Sequence, residues 1–375
     1  MDFDLTEDQS LLVESVRRML ADQYGFEQRK THMKSIEGWS TAMWAAYAEQ
    51  GLLGLPFEEA DGGFGGGLTD TCLIAEQMGR ALTVEPWFTT VVLGGGFLRR
   101  AATDLRAELV PRVADGSLKL AFAQVERQSR YDLFDVTTTA KQDGDGWVVS
   151  GRKGMVLHGD TADRMFVTAR HAGGQRDRGG IGVFMVEERH CTARGFRTVD
   201  GARAAEVEFD RAPAVLIAED GLPMVEAVVA EAIAALAFEA VGCMEMAHAM
   251  TLDYMKTRQQ FGKTIGSFQA LQHRAADMLI ALEQARSMSF YAVQAASDSD
   301  ADERRRGAAA VKVQIGRSGR LIGQQSIQLH GGIAMTMEYA CGHYFKRLTM
   351  NDSLFGGADH HIRALADEGG LVQAA

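Results

Sequence analysis

Cysteine is scarce in this chain, with four among 375 residues. Cys72, Cys191, Cys243 and Cys341 stand far apart and form no C-x-x-C pair, the spacing that zinc sites and redox motifs use. The sequence therefore predicts no metal site and no disulfide framework. Because Cys72, Cys243 and Cys341 lie among apolar or small neighbours, we expect them to be buried or inert.

Positive charge is also in deficit, because 39 Lys and Arg face 50 Asp and Glu, a net charge of −11. Nucleic-acid binding needs a basic face, so no nucleic-acid partner is expected. A local cationic site for a phosphate-bearing small ligand remains compatible with this charge. No apolar run reaches the roughly 20 residues of a membrane span, and Met1-Asp-Phe-Asp-Leu5 lacks the apolar segment of a signal peptide. We expect a cytoplasmic protein without a membrane partner.

Helical patterns occupy the first part of the chain, residues 1–118. Thr6-Glu-Asp-Gln9 is a capping box and predicts a helix start. The glycine run from Gly62 to Gly67 cannot stay helical, since each glycine costs about 1 kcal/mol relative to alanine. We interpret it as a connector, because no G-K-[ST] phosphate motif follows. Further helices are predicted over 40–50, 69–82 and 105–115.

Short β patterns replace the helices over residues 119–218. Asp143-Gly-Asp-Gly146 is a tight turn between two strand-like runs, and Glu206 to Asp210 alternates strictly between polar and apolar residues. No helical pattern intervenes, so we predict a compact antiparallel β domain. The predicted strands are 136–142, 147–150, 164–168, 182–186 and 206–210.

Helical spacing returns over residues 219–375, which completes an α+β chain of three domains. The predicted helices run from Gly221 to Thr257, from about Leu271, from about Val311 to Leu329, and over 359–367. His330-Gly331-Gly332 supplies the glycine stop that commonly follows a helix. The charged run 298–306 is interpreted as a solvated loop between helices.

The stretch Arg258-Gln-Gln-Phe261-Gly-Lys-Thr-Ile-Gly266-Ser-Phe268 lies between two of these helices. Arginine carries a permanent charge and a planar fork of donors that matches phosphate oxygens. Glycine allows the backbone to approach a ligand closely. The stretch indicates a short loop that binds an anionic ligand, and an ordinary loop with a surface arginine is the alternative.

The α–β–α order, the Arg258-Gln-Gln-Phe-Gly motif and the later Gln328-Leu-His-Gly-Gly motif together resemble the acyl-CoA dehydrogenase family over essentially the whole chain. Gly242, sixteen residues before Arg258, and the Gly151-Arg-Lys153 segment fit the same pattern. The resemblance implies an N-terminal helical domain, a barrel-like middle β domain and a C-terminal four-helix bundle. Segments 1–30 and 269–278 are similar to members described as small subunits of pimeloyl-CoA dehydrogenase.

The resemblance also implies a chemistry and a cofactor. Family members are usually tetramers that bind FAD and desaturate acyl-CoA thioesters: a carboxylate removes the α proton, and a hydride leaves Cβ for the flavin. An electron-transfer flavoprotein or a similar acceptor is the implied redox partner. The arginine of the motif would hold the FAD pyrophosphate of a neighbouring subunit. The cofactor-binding residues carried over in this way are Arg258, Phe261, Gln269, Gln328, Gly331 and Gly332.

The carboxylate that this chemistry needs is missing from its usual place. The family's Tyr-Glu-Gly-Thr segment reads Leu354-Phe355-Gly356-Gly357, and phenylalanine cannot accept a proton. In other members the base lies on the preceding helix, where this chain has Ala232. Its neighbour Glu231 is rotated by about 100° around that helix, and we interpret it as a first-turn helix acid or as a relocated base. Glu239 is a further candidate, so the catalytic residue is unknown.

The flavin-ring side of the middle domain departs from the family as well. The Thr-Glu-Pro-x-x-Gly-Ser-Asp loop reads Val125-Glu-Arg-Gln-Ser-Arg-Tyr-Asp132, and the Trp-x-Thr motif reads Met155-Val-Leu157. We therefore hypothesise a base-lacking subunit of a heteromeric α2β2 enzyme that supplies the ADP-side half of an FAD site. The alternatives are a self-sufficient homotetramer with a relocated glutamate and a flavin-free scaffold. The pimeloyl similarity suggests a dicarboxylyl-CoA or another bulky CoA thioester as substrate.

Overall fold

The computed structural model describes residues 5–367 and 369, and in it the chain forms two compact units. Both units contain residues from the predicted N-terminal domain, so the three domain limits given above stay predictions. Met1 to Asp4, part of the segment judged not to be a signal peptide, lies outside the described residues. The described residues of the first unit fall within Met1–Arg29, Cys72–Thr83 and Ile233–Ala375, and those of the second within Lys30–Thr71 and Val84–Ala232.

The helices follow the predicted pattern with three additions, α2, α5 and α10. The capping box is confirmed, because Thr6 Oγ1 accepts a hydrogen bond from the Gln9 amide at 3.2 Å and Gln9 Oε1 accepts one from the Thr6 amide at 3.2 Å. The helices are α1 (Glu7–Gln23), α2 (Phe26–Lys34), α3 (Thr41–Glu49), α4 (Leu68–Ala81), α5 (Gly95–Leu98, after a π-helical turn at Phe88–Gly94), α6 (Thr103–Ala114), α7 (Leu222–Thr257), α8 (Gln269–Ala296), α9 (Ala301–His330), α10 (Ala340–Ser353) and α11 (Ala358–Asp367).

The prediction of a loop over 298–306 is wrong for residues 301–306, which form the first turns of α9. Asp300 caps this helix by accepting from the amide of Asp302 at 2.8 Å. Asp302 and Glu303 then lie in the first turn, where the helix dipole favours negative charge. The arginines that follow pair with them three residues apart, as Arg305 does with Asp302 at 2.6 Å. The alternating charges therefore stabilise a helix start.

The C-terminal helices of the first unit form a bundle in which α9 packs against α8, α10 and α11. Part of α4 crosses α7 in the same unit at backbone distance. A Cβ added at Gly242 would overlap the carbonyl oxygen of Glu76, and one added at Gly79 would overlap that of Glu239. Gly242, which fits the family pattern, is therefore needed for the close approach of these two helices.

A closed β barrel forms the core of the second unit. Strands β4, β2, β3, β7 and β5 pair in that order, and β5 pairs again with β4, while β1 and β6 attach to β4 and β7. Most pairings are antiparallel as predicted, but β1 and β2 both run parallel to β4. The strands are β1 (Leu120–Ala123), β2 (Thr139–Asp143), β3 (Gly146–Leu157), β4 (Arg164–Arg170), β5 (Ile181–Glu187), β6 (Cys191–Arg197) and β7 (Arg203–Ala218), with β8 (Gln259–Gln260) and β9 (Lys263–Thr264) in the first unit.

Burial explains two features of the composition, the scattered cysteines and the apolar helix α7. Cys72, Cys243 and Cys341 are buried free thiols, as expected, and Cys191 is a partly buried one. Helix α7 is long and apolar enough to cross a membrane by length and composition alone, yet 89% of its most apolar window is buried, as in the core helix of a globular protein.

Replacing Gly242 with alanine should destabilise the protein by about 1–3 kcal/mol, because the added methyl group forces α4 and α7 apart. The measurement is the midpoint of urea unfolding. Gly179→Ala is the matched control, since a Cβ at Gly179 meets nothing within 4 Å. Equal midpoints for the two variants would contradict the close crossing.

Candidate cofactor site

The Arg258 stretch folds as a small β hairpin. Gln259 and Gln260 of β8 pair with Lys263 and Thr264 of β9. The two turn residues, Phe261 and Gly262, both have positive φ angles, 53° and 78°. Positive φ at both turn positions is the geometry of a type I′ turn, which matches the natural twist of a two-stranded hairpin. The backbone around Arg258 is therefore held by strand pairing and is more regular than the loop predicted from sequence.

The side chains of this hairpin leave a cation and a ring facing outward. Phe261 is 89% exposed. The Phe268 ring lies 4.3 Å from Lys263 Nζ, so that ammonium already has an aromatic contact. The Arg258 side chain is exposed and makes no ion pair with any residue that the structure describes. This guanidinium can therefore bind an external anion.

The other predicted cofactor residues lie at the adjoining ends of α8 and α9. Gln269 is the first residue of α8, and Gln328 lies in the last turn of α9; both are exposed. Gly331 has φ 65° and ψ −145°, a conformation that only glycine adopts readily. A Cβ added at Gly331 or Gly332 meets nothing within 4 Å, so the backbone there is open to a ligand.

Contacts between the helices bring these ends together. The Arg274 guanidinium near the start of α8 donates to Gln325 Oε1 near the end of α9 at 3.1 Å. The rings of Tyr254 near the end of α7 and His330 at the end of α9 lie 4.6 Å apart. All six predicted residues thus lie at one end of the bundle. An exposed guanidinium beside open backbone fits the phosphate-bearing half of a dinucleotide.

The segment that contains Phe355, where the resemblance places the usual base, is firmly held. It follows α10, and Phe355 and Gly356 have φ angles of 58° and 100°. Lys312 Nζ donates to the carbonyl oxygens of Asn351 and Leu354, both at 2.7 Å. His361 Nε2 donates to the Phe355 carbonyl at 3.0 Å. The contacts hold the backbone, and the side chain at position 355 is apolar.

The two other candidate bases are engaged in ion pairs. Glu231 binds the guanidinium groups of Arg99 and Arg100, each at 2.6 Å. Helix α7 begins at Leu222, so the interpretation of Glu231 as a first-turn acid is wrong. Glu239 is buried and accepts from Arg347 at 2.7 Å. Each of these carboxylates is therefore already held by an arginine side chain.

A buried ion pair organises the middle-domain loop over residues 125–132. Lys153 Nζ donates to Glu126 Oε1 at 2.8 Å and to Thr168 Oγ1 at 3.0 Å. Glu126 also accepts from the amides of Thr137 at 2.8 Å and Thr138 at 3.0 Å, from the Thr137 hydroxyl, and from Gln128 Nε2 at 2.8 Å. Burial would raise the pKa of Glu126, but the Lys153 ammonium and these hydrogen bonds lower it to about 2.

Three of these arrangements are not predicted from the sequence: the Arg99–Arg100 pair, Lys312 and His361. Adjacent arginines just after a glycine-rich helix start were one available signal. A single lysine in an otherwise apolar region of α9 was another. Among the residues that the structure describes, no three His, Cys, Asp or Glu side chains converge as a metal site would require.

The order of helical, β and helical domains, with nucleotide-binding features at one end of the bundle, is that of a flavin-dependent dehydrogenase of CoA thioesters. Three family models match in succession: the acyl-CoA dehydrogenase N-terminal domain at residues 6–117, the middle domain at 121–212 and the C-terminal domain at 219–369. The chain belongs to the acyl-CoA dehydrogenase family, whose cofactor is FAD.

Relatives and solved structures are similar over nearly their full length. Acyl-CoA dehydrogenase IpdE2 of Mycobacterium tuberculosis is 28% identical, with 96% of this chain and 97% of the relative covered. The 3-sulfinopropanoyl-CoA desulfinase of Paraburkholderia xenovorans is 28% identical over 88% of each chain. A variant of the Tcur3481-Tcur3483 steroid ACAD is 30% identical, with a TM-score of 0.88 and 97% and 98% covered. The ChsE4-ChsE5 complex from Mycobacterium tuberculosis shares the fold, at 22% identity, a TM-score of 0.88 and complete coverage of both chains.

Replacing Lys153 with methionine should destabilise the protein by about 3–5 kcal/mol, because Glu126 is left buried without its cation. Urea unfolding at pH 7 measures this change. Lys141→Met, on the exposed side of β2, is the matched control and should leave the midpoint almost unchanged.

Acid should remove the contribution of Glu126. Since its folded pKa lies below its ordinary value of 4.5, the stabilisation is complete above pH 4.5 and is lost as the pH falls towards 2. Glu126→Gln should flatten this part of the stability curve. A curve as steep as that of the wild type would refute the pairing.

Proposed function

We propose that this chain is the base-lacking subunit of a heteromeric α2β2 acyl-CoA dehydrogenase. Its function is to supply the ADP-side half of an FAD site shared with a homologous partner subunit, which provides the catalytic carboxylate. The observation that carries the proposal is Phe355, an apolar side chain on a backbone fixed by Lys312 and His361. The ion pairs of Glu231 and Glu239 support it, because they occupy both alternative carboxylates.

Heteromeric assembly is supported by two of the similar proteins. The Tcur3481-Tcur3483 steroid ACAD and the ChsE4-ChsE5 complex each carry the names of two components. A chain that lacks a base can remain essential in such an assembly if it completes the cofactor site of its partner.

Each residue at the bundle end has a role in this proposal. Arg258 pairs with the FAD pyrophosphate, and Phe261 and Gln269 lie beside the cofactor. Gln328, Gly331 and Gly332 form the second dinucleotide contact, where open backbone amides can donate to phosphate. FAD, when bound, supplies the hydride acceptor for desaturation.

The substrate in this proposal is a CoA thioester with a dicarboxylyl or another bulky acyl group. The electron acceptor is an electron-transfer flavoprotein or a similar protein, and the enzyme works in the cytoplasm. These finer assignments rest on the resemblance to pimeloyl-CoA dehydrogenase small subunits and on the steroid substrate class in the name of a 30%-identical neighbour.

Two alternatives make different predictions. A self-sufficient homotetramer needs Glu231 or Glu239 as a base, and the arginine partners of both count against it. A flavin-free scaffold would not need the exposed Arg258, which makes no ion pair with a described residue. It would not need the open glycine backbone at the end of α9 either.

Expressed alone, the chain should show no acyl-CoA turnover, and co-expression with a homologous partner chain should yield a flavin-loaded, active complex. Flavin absorbance and dye reduction by CoA thioesters are the measurements. Stoichiometric flavin and turnover from the isolated chain would refute the proposal, and a colourless complex would favour the scaffold.

Glu231→Gln in the active complex distinguishes the homotetramer from the heteromer. Loss of a relocated base should lower kcat by several orders of magnitude. In our proposal kcat changes far less, and the main effect is weaker folding, since Arg99 and Arg100 lose their shared partner.

Arg258→Ala should weaken FAD binding by the complex about tenfold or more, since a hydrogen bond to a charged group contributes about 1.5–3 kcal/mol. Flavin retained after gel filtration measures the effect, and circular dichroism checks that the chain stays folded. Arg363→Ala removes an exposed cation from α11 as a control. Equal flavin retention in both variants would exclude the proposed role.

A further inference from the structure

The loop between α9 and α10 carries two of the proposed cofactor residues at its start. It covers residues 331–339 and opens with Gly331 and Gly332, whose backbone is open to a ligand. Ala334 is buried, whereas most of the other residues of this stretch are exposed. A loop with so little buried side-chain surface depends on backbone contacts for a fixed conformation. The contacts that hold this loop therefore decide how its glycines face a cofactor.

The first turn of α10 provides such contacts. A Cβ added at Gly342 would lie 2.4 Å from the carbonyl oxygen of Ala334, so the backbones of the loop and the helix approach closely there. At the next position along α10, His343 Nε2 donates to the carbonyl oxygen of Met337 at 3.2 Å. The loop is thus held at its start by α9, which leads directly into it, and near its end by the ring of His343.

A buried arginine determines which nitrogen of His343 donates. Arg29 Nη1, on α2, donates to His343 Nδ1 at 3.0 Å. A guanidinium group has donors and no acceptor, so Nδ1 accepts this hydrogen bond and carries no proton. The ring proton therefore lies on Nε2, the atom that faces Met337. A single tautomer satisfies both contacts of the ring.

Packing holds the arginine and the ring in this geometry. Arg29 and His343 are 0% and 2% exposed. Arg29 Nε also donates to the carbonyl oxygen of Leu82 at 2.6 Å. The rings of Phe26 and His343 meet edge to face, with centroids 4.9 Å apart and an angle of 75° between their planes. Phe26 and Arg29 lie one turn apart on α2, so this helix sets both the plane and the tautomer of the His343 ring.

We infer that His343 is a positioning residue for the cofactor site and acts through the backbone of the 331–339 loop. With its tautomer set by Arg29, the ring holds the Met337 carbonyl, and the loop then presents Gly331 and Gly332 to the phosphates of the dinucleotide. The inference rests on the proposed function, because that proposal assigns these two glycines to FAD. His343 itself is buried, so its effect on the cofactor is transmitted by the loop.

Two substitutions that differ by one methylene group separate the contact with the loop from the contact with Arg29. His343→Asn keeps an acceptor near the position of Nδ1 but is too short to donate to Met337. His343→Gln places a donor near the position of Nε2 and also carries an acceptor. Thr349→Asn, at an exposed position of the same helix, is the matched control.

Hydrogen exchange of the 331–339 amides in the chain alone measures the loop, and titration of the flavin-free heteromeric complex with FAD measures the cofactor site. His343→Asn should speed exchange in the loop and weaken FAD binding, each by about two- to tenfold, the range for the loss of one hydrogen bond. His343→Gln should restore most of both values, and Thr349→Asn should change neither. Exchange outside the loop should stay at the wild-type rate, which shows that the variants are folded.

Wild-type loop exchange or wild-type FAD affinity in His343→Asn would overturn the inference. An equal loss of FAD affinity in His343→Gln and His343→Asn would also overturn it, because the donor to Met337 would then be irrelevant. Failure of the proposed function gives a different result. A wild-type complex that binds no FAD would refute that function, and the cofactor role of His343 with it, whatever the exchange rates of the loop.

Discussion

The buried contact between Lys153 and Glu126 is the interaction on which the second unit most depends. It joins the end of β1 to β3 and, through Thr168 and the amides of Thr137 and Thr138, to β4 and the segment before β2. Removing two charges from water is costly, so such a pair is tolerated only when its hydrogen bonds are satisfied. Here nearly every donor and acceptor has a partner, and the loop that carries Arg127 and Arg130 is fixed as a result.

The features that fit a cofactor and the candidate positions for a base lie in different places in this chain. The bundle end keeps an unpaired guanidinium, a regular hairpin and open glycine backbone. The positions where the resemblance places a base hold Phe355 and Ala232, and the candidate carboxylates Glu231 and Glu239 are bound by arginines. Family membership therefore establishes the fold and the cofactor class, whereas a base supplied by a partner subunit remains our proposal.

Local signals in the sequence predict most of the helices and strands. The features that they do not predict depend on contacts between residues far apart in the chain. The capping box at Thr6 and the glycine stop at Gly331 act within a few residues, so the structure agrees with both. The prediction of a loop over 298–306 rests on charge composition alone, whereas the order of these charges suits a helix start. The partners of Glu231 lie more than 130 residues away along the chain, and no local pattern indicates them. The roles of the six cofactor residues stay predictions, although their common location at one bundle end is now clear.

The segment after α10 has a consequence for which side chains this point of the fold can carry. Lys312 and His361 bind carbonyl oxygens, which every amino acid carries, so the conformation at position 355 does not depend on the side chain found there. The left-handed φ at this position disfavours most side chains, and only Gly, Asn and Asp adopt it readily. The backbone conformation at position 355 is therefore independent of whether the side chain there can accept a proton. A family member that carries a carboxylate at this position and one that carries an apolar side chain can therefore share the same backbone here.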